Sequence, residues 1–239
     1  MMKKLLINLI FWAILSLAVA EELELHIKYL GIPMVKVNIV DEQNTITTKA
    51  NAVGLVGIVA KMNNTYISSY NGEYLTTKYS KYIFQKDYTE ERQTNYFREQ
   101  KLAERINFKP REEIVNYPIN EQSRDFFAAL FYLRKIDDIT NGNLWLDANK
   151  SIWKTHYEKV GNEKIKTIFG KINTIMVKLT FEKISTLPKE NTDMLTNNLV
   201  NEEKSLLLWF SSDNERIPVR AEFMMRPFPV VWELKKYEK

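Results

Sequence analysis

The chain has 239 residues, 45% hydrophobic and 27% charged, which suits one large core in one domain, or two at most. With no cysteine and only two histidines, His26 and His156, disulfides, thiol catalysis and thiolate metal sites are excluded, and a zinc site would need an uncommon carboxylate-rich ligand set. The formal net charge of +4 is spread as interleaved basic and acidic residues, the pattern of a solvated surface rather than of a nucleic-acid groove.

The chain opens with "MMKKLLINLIFWAILSLAVA". Lys3 and Lys4 precede an apolar run from Leu5 to Leu17, and Ala18-Val19-Ala20 ends it in small-x-small form. This is the pattern of a signal peptide over residues 1–20, cleaved after Ala20. The run is shorter than the about twenty apolar residues of a spanning helix. The alternative is an uncleaved N-terminal anchor. No cysteine is available for a lipoprotein anchor, and loss of Lys3 and Lys4 takes the charge from +4 to about +2. The expected product is one β-rich domain, residues 21–239, in the periplasm and without an integral membrane span.

Leu23, Leu25, Ile27 and Tyr29 alternate with polar residues, and Gly31 and Pro33 break the run before a second strand with Val35, Val37 and Ile39. "VGLVG", with Gly54 and Gly57, predicts a bulge or tight bend in a strand. Tyr66 and Tyr70 share a strand face, and Tyr74, Tyr82, Phe84 and Tyr88 recur along one face with Thr76, Lys78 and Ser80. "SRDFFAALFYLRKI" predicts the one helix, Arg124 to Lys135, with Ser123 as N-cap and Phe126, Phe127, Leu130 and Phe131 on its apolar side. Ile175, Val177, Leu179 and Phe181 form another alternating strand, as do Ile217, Val219, Ala221 and Phe223. Ser185 to Lys204 is polar and is expected to be a long mobile loop. The fold class is mainly β: a curved antiparallel sheet, or an open or half β-barrel, with one short helix packed on it.

Catalytic chemistry finds little footing. "SSDNER" lies between apolar strands, and its Asp and Asn suit a hairpin loop at Ser211 to Glu215, with Arg216 opening the next strand. The alternative, an active site, lacks the burial that tunes a carboxyl into an acid. Neither histidine has a partner at metal spacing, and both suit surface or packing roles. No phosphate loop, dinucleotide fingerprint or nucleophile elbow occurs. Asp137 with Asp138, and Glu112 with Glu113, are adjacent pairs that point to opposite strand faces. No catalytic residue, metal ligand or cofactor is assigned.

Several stretches are familiar together: "YLGIPMVKVNI", "TTKANAVGLVGIV", "SRDFFAALFYLRK", "KIKTIFGKINTIMVKLTF" and "LLLWFSSDNERIPVRAEF". In this order they resemble the exported bacterial domain-of-unknown-function family 3108. The most specific elements are Gly170 and the pattern at Trp209, Ser211, Asp213, Arg216, Ile217, Pro218 and Val219. Val35 stands where that family has a second glycine, and "RPFPV" where it tends to a glycine. The resemblance implies a secreted or periplasmic, mostly β protein and carries over no catalytic residue. It also makes the last motif architectural, with Trp209 packing across the sheet and Arg216 pairing with Asp213.

Two functions then compete. One is a non-enzymatic cell-envelope protein whose concave sheet binds a lipid-like or apolar ligand, with Tyr74, Tyr82, Phe84 and Phe127 as lining residues. The other is a scaffold in envelope assembly that has no small ligand. A hydrolase built on scattered carboxylates is the third and weakest reading. The expected partner is a lipid or an envelope protein, not a nucleic acid.

Overall fold

The computed structural model describes residues 20–188, 190, 192–225 and 227–239. The leader expected over residues 1–20 lies outside them except for Ala20. The strands are β1 (Glu21–Tyr29), β2 (Ile32–Glu42), β3 (Thr45–Ala52), β4 (Met62–Tyr70), β5 (Thr76–Gln85), β6 (Tyr88–Phe97), β7 (Leu102–Lys109) and β8 (Glu113–Pro118). They continue with β9 (Ser123–Arg124), β10 (Asn141–Asp147), β11 (Ile152–Thr167), β12 (Gly170–Lys183), β13 (Leu206–Ser211), β14 (Pro218–Met225) and β15 (Phe228–Glu238). Helices α1 (Gly54–Val59), α2 (Phe126–Lys135) and α3 (Met194–Leu199) interrupt them.

All fifteen strands form one curved sheet, in the order β8-β7-β6-β5-β4-β3-β2-β1-β15-β14-β13-β12-β11-β10-β9. The chain meanders outward from β1 to one edge, restarts at the other edge and returns to place β15 beside β1. Every pairing is antiparallel except the short β9–β10 contact. Tight turns fix the register. Leu30 and Gly31, and Gln43 and Asn44, have positive φ at both central positions, the twist that two-residue hairpins need.

Period-two alternation does place the core. Leu23, Leu25 and Ile27 are buried on β1, as are Val177, Leu179 and Phe181 on β12. Helix α2 lies in the concavity with Phe127, Ala128, Ala129, Phe131 and Leu133 buried. Its N-cap is Asp125 rather than Ser123, and the helix starts at Phe126 rather than Arg124, because Ser123 and Arg124 pair with β10.

Three further expectations are corrected. "VGLVG" forms α1, not a strand bend; an added Cβ on Gly57 would sit 2.9 Å from the Ala52 carbonyl oxygen, so glycine permits the close turn. The polar stretch after β12 is not simply a loop: it contains α3 and buries Asp193, Leu195, Leu199 and Val200. Arg216 does not open a strand. It has φ +46 in the loop before β14, and its guanidinium donates to the carbonyls of Ile136 and Asp137 at the end of α2.

Candidate functional site

The inner face of the sheet has two chemically distinct parts. From β4 to β8 it is polar, and three buried aspartates tie it to the N-cap of α2, the end of the facing strand β10 and the N-cap of α3. Asp125 accepts from the Phe127 and Ala128 amides at 2.9 and 3.2 Å, and from the Ser68 and Thr76 hydroxyls at 2.7 Å each. Asp147 accepts from the Tyr96 and Tyr117 hydroxyls at 2.7 and 2.6 Å. Burial pushes both carboxyls above their ordinary value, against the hydrogen bonds that they accept.

Asp193 is shifted the other way. Burial alone would raise it, but the Lys81 charge 2.6 Å away, with hydrogen bonds from Lys81, Thr196 and Tyr66, holds it well below the usual carboxylate range. Around it Arg92 pairs with Glu90 at 2.7 Å, and Arg105 grips Glu190 through two bonds of 2.6 and 3.1 Å. The space left among these groups is about 20 Å³, room for about one water. These charges are spent on one another, so the cluster serves as a clamp that holds α3 and the β12–β13 connection against the sheet.

The other part is apolar and open. At the end of the sheet carrying the β1–β2 turn lies a cavity of about 480 Å³. Ile27 and Tyr29 of β1, Met34 and Val35 of β2, Ala52 of β3 and Met62 of β4 form one wall. Phe223 and Met225 of β14 and Val230 and Trp232 of β15 form the other. Leu195 closes the interior side, where the Asp193 cap positions α3. Val56 of α1 and Ala60 just after it, with Lys61, Lys86 and Asp87, stand at the mouth. Apolar walls with polar groups at the opening suit a molecule with an apolar body and a polar end.

None of the four lining residues expected from sequence borders this cavity. Tyr82 and Phe84 lie on the outer face of β5, 46% and 54% exposed, while Tyr79, Lys81 and Ile83 point inward. Tyr74 is not on that strand: it has φ +56 in the turn before β5, stacks on Tyr70 at 4.4 Å and donates to Asp41. Phe127 is buried in the core with its ring 5.3 Å from that of Tyr66. The alternation of Tyr82 and Phe84 was legible; which face was concave was not. A usable signal lay in "NTDMLTNNLV", where Asp193 caps a turn that carries Leu195 and Leu199 four apart.

The "SSDNER" stretch is a hairpin loop. The Asp213 carboxylate accepts from the Ser211 hydroxyl at 2.8 Å and from the Glu215 and Arg216 amides at 3.1 and 3.2 Å, so it is held by the turn itself. It pairs with the Arg216 amide, not with its guanidinium. Trp209 is buried as expected, with its indole N–H donating to Glu163 at 2.8 Å. His26 contacts Glu24 at 3.1 Å, and among the described residues no cluster of acidic, histidine or cysteine side chains could hold a metal ion.

The fold has a solved counterpart. A crystal structure of a β-barrel-like protein of domain of unknown function DUF1849 from Brucella abortus is similar over 92% of this chain and 96% of that one, with TM-score 0.56 and 11% identity, a likeness of fold. No curated protein matches the chain. The family model described as "Protein of unknown function (DUF3108)" matches residues 25–229, spanning β1 to β15, and the chain therefore belongs to the DUF3108 family.

Proposed function

We propose that this is an exported, non-enzymatic protein of the bacterial cell envelope that holds a lipid-like ligand in the apolar cavity between β1–β4 and β14–β15. The cavity carries the reading. Its volume of about 480 Å³ falls within the range of about 300–1,000 Å³ typical of small-molecule sites. A chain of ten methylenes buried there gains about 8 kcal/mol gross. That is comparable with the about 4–15 kcal/mol lost in association, so long acyl chains are held and short ones are not. The leader pattern at residues 1–20 supports export. The commitment of Asp125, Asp147 and Asp193 to caps, hydroxyls and Lys81 supports a role without catalysis.

The test is titration of a fluorescent fatty-acid probe, with Ala52→Phe and Val230→Phe to fill the cavity. Wild type binds and both filled variants lose binding, while Tyr82→Ala and Phe84→Ala retain it. Absence of binding by wild type leaves the scaffold reading in its place. Export is tested separately: N-terminal sequencing of protein recovered from the periplasm begins at Glu21, and a chain retained intact in the cytoplasm refutes it.

A further inference from the structure

The surface around the cavity mouth is as unusual as the cavity. Helix α1 reads "GLVGIV", yet it buries no residue and has no side-chain N-cap. Leu55 and Ile58 are 81% and 76% exposed. A short helix held to the sheet mainly through its backbone, with apolar side chains facing water and no side-chain cap, is one whose outer face gains from a covering surface. Its neighbours share the character. Leu30 and Ile32 are exposed at the β1–β2 turn, and Met224 and Phe228 at the β14–β15 turn. Backbone pairing of Tyr29 with both Ile32 and Val230 brings these two turns to one end of the sheet. The Val53 amide donates to the Met34 carbonyl at 3.0 Å, which fixes α1 beside them. Tyr29, Met34, Val56 and Met225 line the cavity itself, so the exposed patch and the interior form one continuous apolar surface.

Resting on the cavity reading above, we propose that this rim docks on an anionic lipid bilayer, with α1 inserted at the headgroup boundary and the cavity mouth turned toward the membrane. One requirement of the proposed ligand and one charge pattern select a bilayer over another covering. An acyl chain long enough to be held has negligible solubility in water, so it must pass between the cavity and a lipid phase across an apolar seal, and the rim supplies one. Lys61 and Lys86 stand at the mouth, and among the described residues neither has an acidic side chain within ion-pair distance. Asp87 is the one acid among the described residues that line the cavity. Cations flanking an inserted apolar tip match an anionic headgroup layer.

The absence of cysteine makes the test direct. A nitrobenzoxadiazole label is placed on Leu55→Cys, or on Glu42→Cys at the opposite end of β2. Each labelled protein is mixed with vesicles of phosphatidylethanolamine and phosphatidylglycerol, or of phosphatidylcholine alone. The label at position 55 shifts to the blue and brightens, more on the anionic vesicles and less at high salt, while the label at position 42 does not. Leu55→Asp/Ile58→Asp lowers vesicle binding by about ten-fold or more, yet leaves solution binding of the fatty-acid probe unchanged. Equal responses at both positions, or none at 55, overturn the proposal. So does a shift at 55 that appears on self-association without vesicles, which assigns the rim to a second copy of the chain. Insertion at 55 without probe binding by wild type refutes the cavity reading and leaves the membrane contact standing.

Discussion

Lys81 and Asp193 meet at 2.6 Å with neither side chain exposed to solvent. The ammonium also donates to the Thr192 and Thr196 hydroxyls at 2.9 and 3.0 Å, so each of its protons has an acceptor. The pair joins β5 to the cap of α3, and α3 supplies Leu195 to the cavity. Lys81→Met strands a buried carboxylate and costs about 3–5 kcal/mol in urea unfolding. The double variant Lys81→Met/Asp193→Asn recovers part of that loss, because an asparagine still accepts from the helix amides. A neutral Lys81→Met refutes the clamp.

The same carboxylate sets an acid limit on stability. In the unfolded chain an aspartate titrates near about 3.9, and in the fold Asp193 lies well below that. Its contribution is complete above that unfolded value and is lost as pH falls toward its folded one. Asp147 has the opposite sign, since burial raises it and its ionised form is a penalty relieved on protonation. Asp193→Asn is therefore less stable than wild type at pH 7, and the gap narrows below about pH 4. For Asp147→Asn, stability relative to wild type is greatest at neutral pH and falls on acidification. Urea unfolding over a pH series measures both trends.

In the β13–β14 hairpin, stability resides in the strand and not in the acids of the turn. Trp209→Ala costs about 3–5 kcal/mol, from the loss of a buried ring that lies 5.2 Å from the Arg220 guanidinium and donates to Glu163. Asp213→Ala costs about 1 kcal/mol through its hydrogen bonds to the turn. Glu215→Ala stays within about 0.5 kcal/mol, since its partner Lys239 is equally exposed. Chemical denaturation orders the three, and the reverse order would reopen the turn as an active site.

Ligand affinity should follow chain length. Each methylene added within the cavity contributes about 0.8 kcal/mol, or about four-fold in Kd. Competition by a series of saturated fatty acids against the fluorescent probe shows that slope, then a plateau once the cavity is full. A flat series from the shortest acid onward points to a headgroup-only site.

Sheet membership was legible because burial on one face writes period two into β1 and the second half of β12. The cap of α2 was misplaced by two residues because Ser123 and Asp125 are both good capping residues, and only the β9–β10 pairing separates them. Which face of β5 turns inward is hidden from the sequence for a deeper reason. The inner face of β5 carries Lys81 and the outer face carries Tyr82 and Phe84, so composition points the strand the wrong way. The lysine is inside because Asp193, more than a hundred residues away, is there to meet it. No local pattern contains that fact.

The seam between β1 and β15 fixes the order in which the sheet can be completed. Emerging N-terminus first, β1 pairs with β2 at once, but its other edge waits for the last strand of the chain. Until then the growing sheet carries an unprotected strand in what will be its middle, rich in Leu23, Leu25 and Ile27 and open to any chain that can pair with it. The same seam brings Glu22 opposite Glu238, so the two ends of the domain are neighbours. A circular permutant joined there and opened between β8 and β9 would have every strand in spatial order along the chain. It would fold by adding each strand to the one before it, with no central edge left waiting.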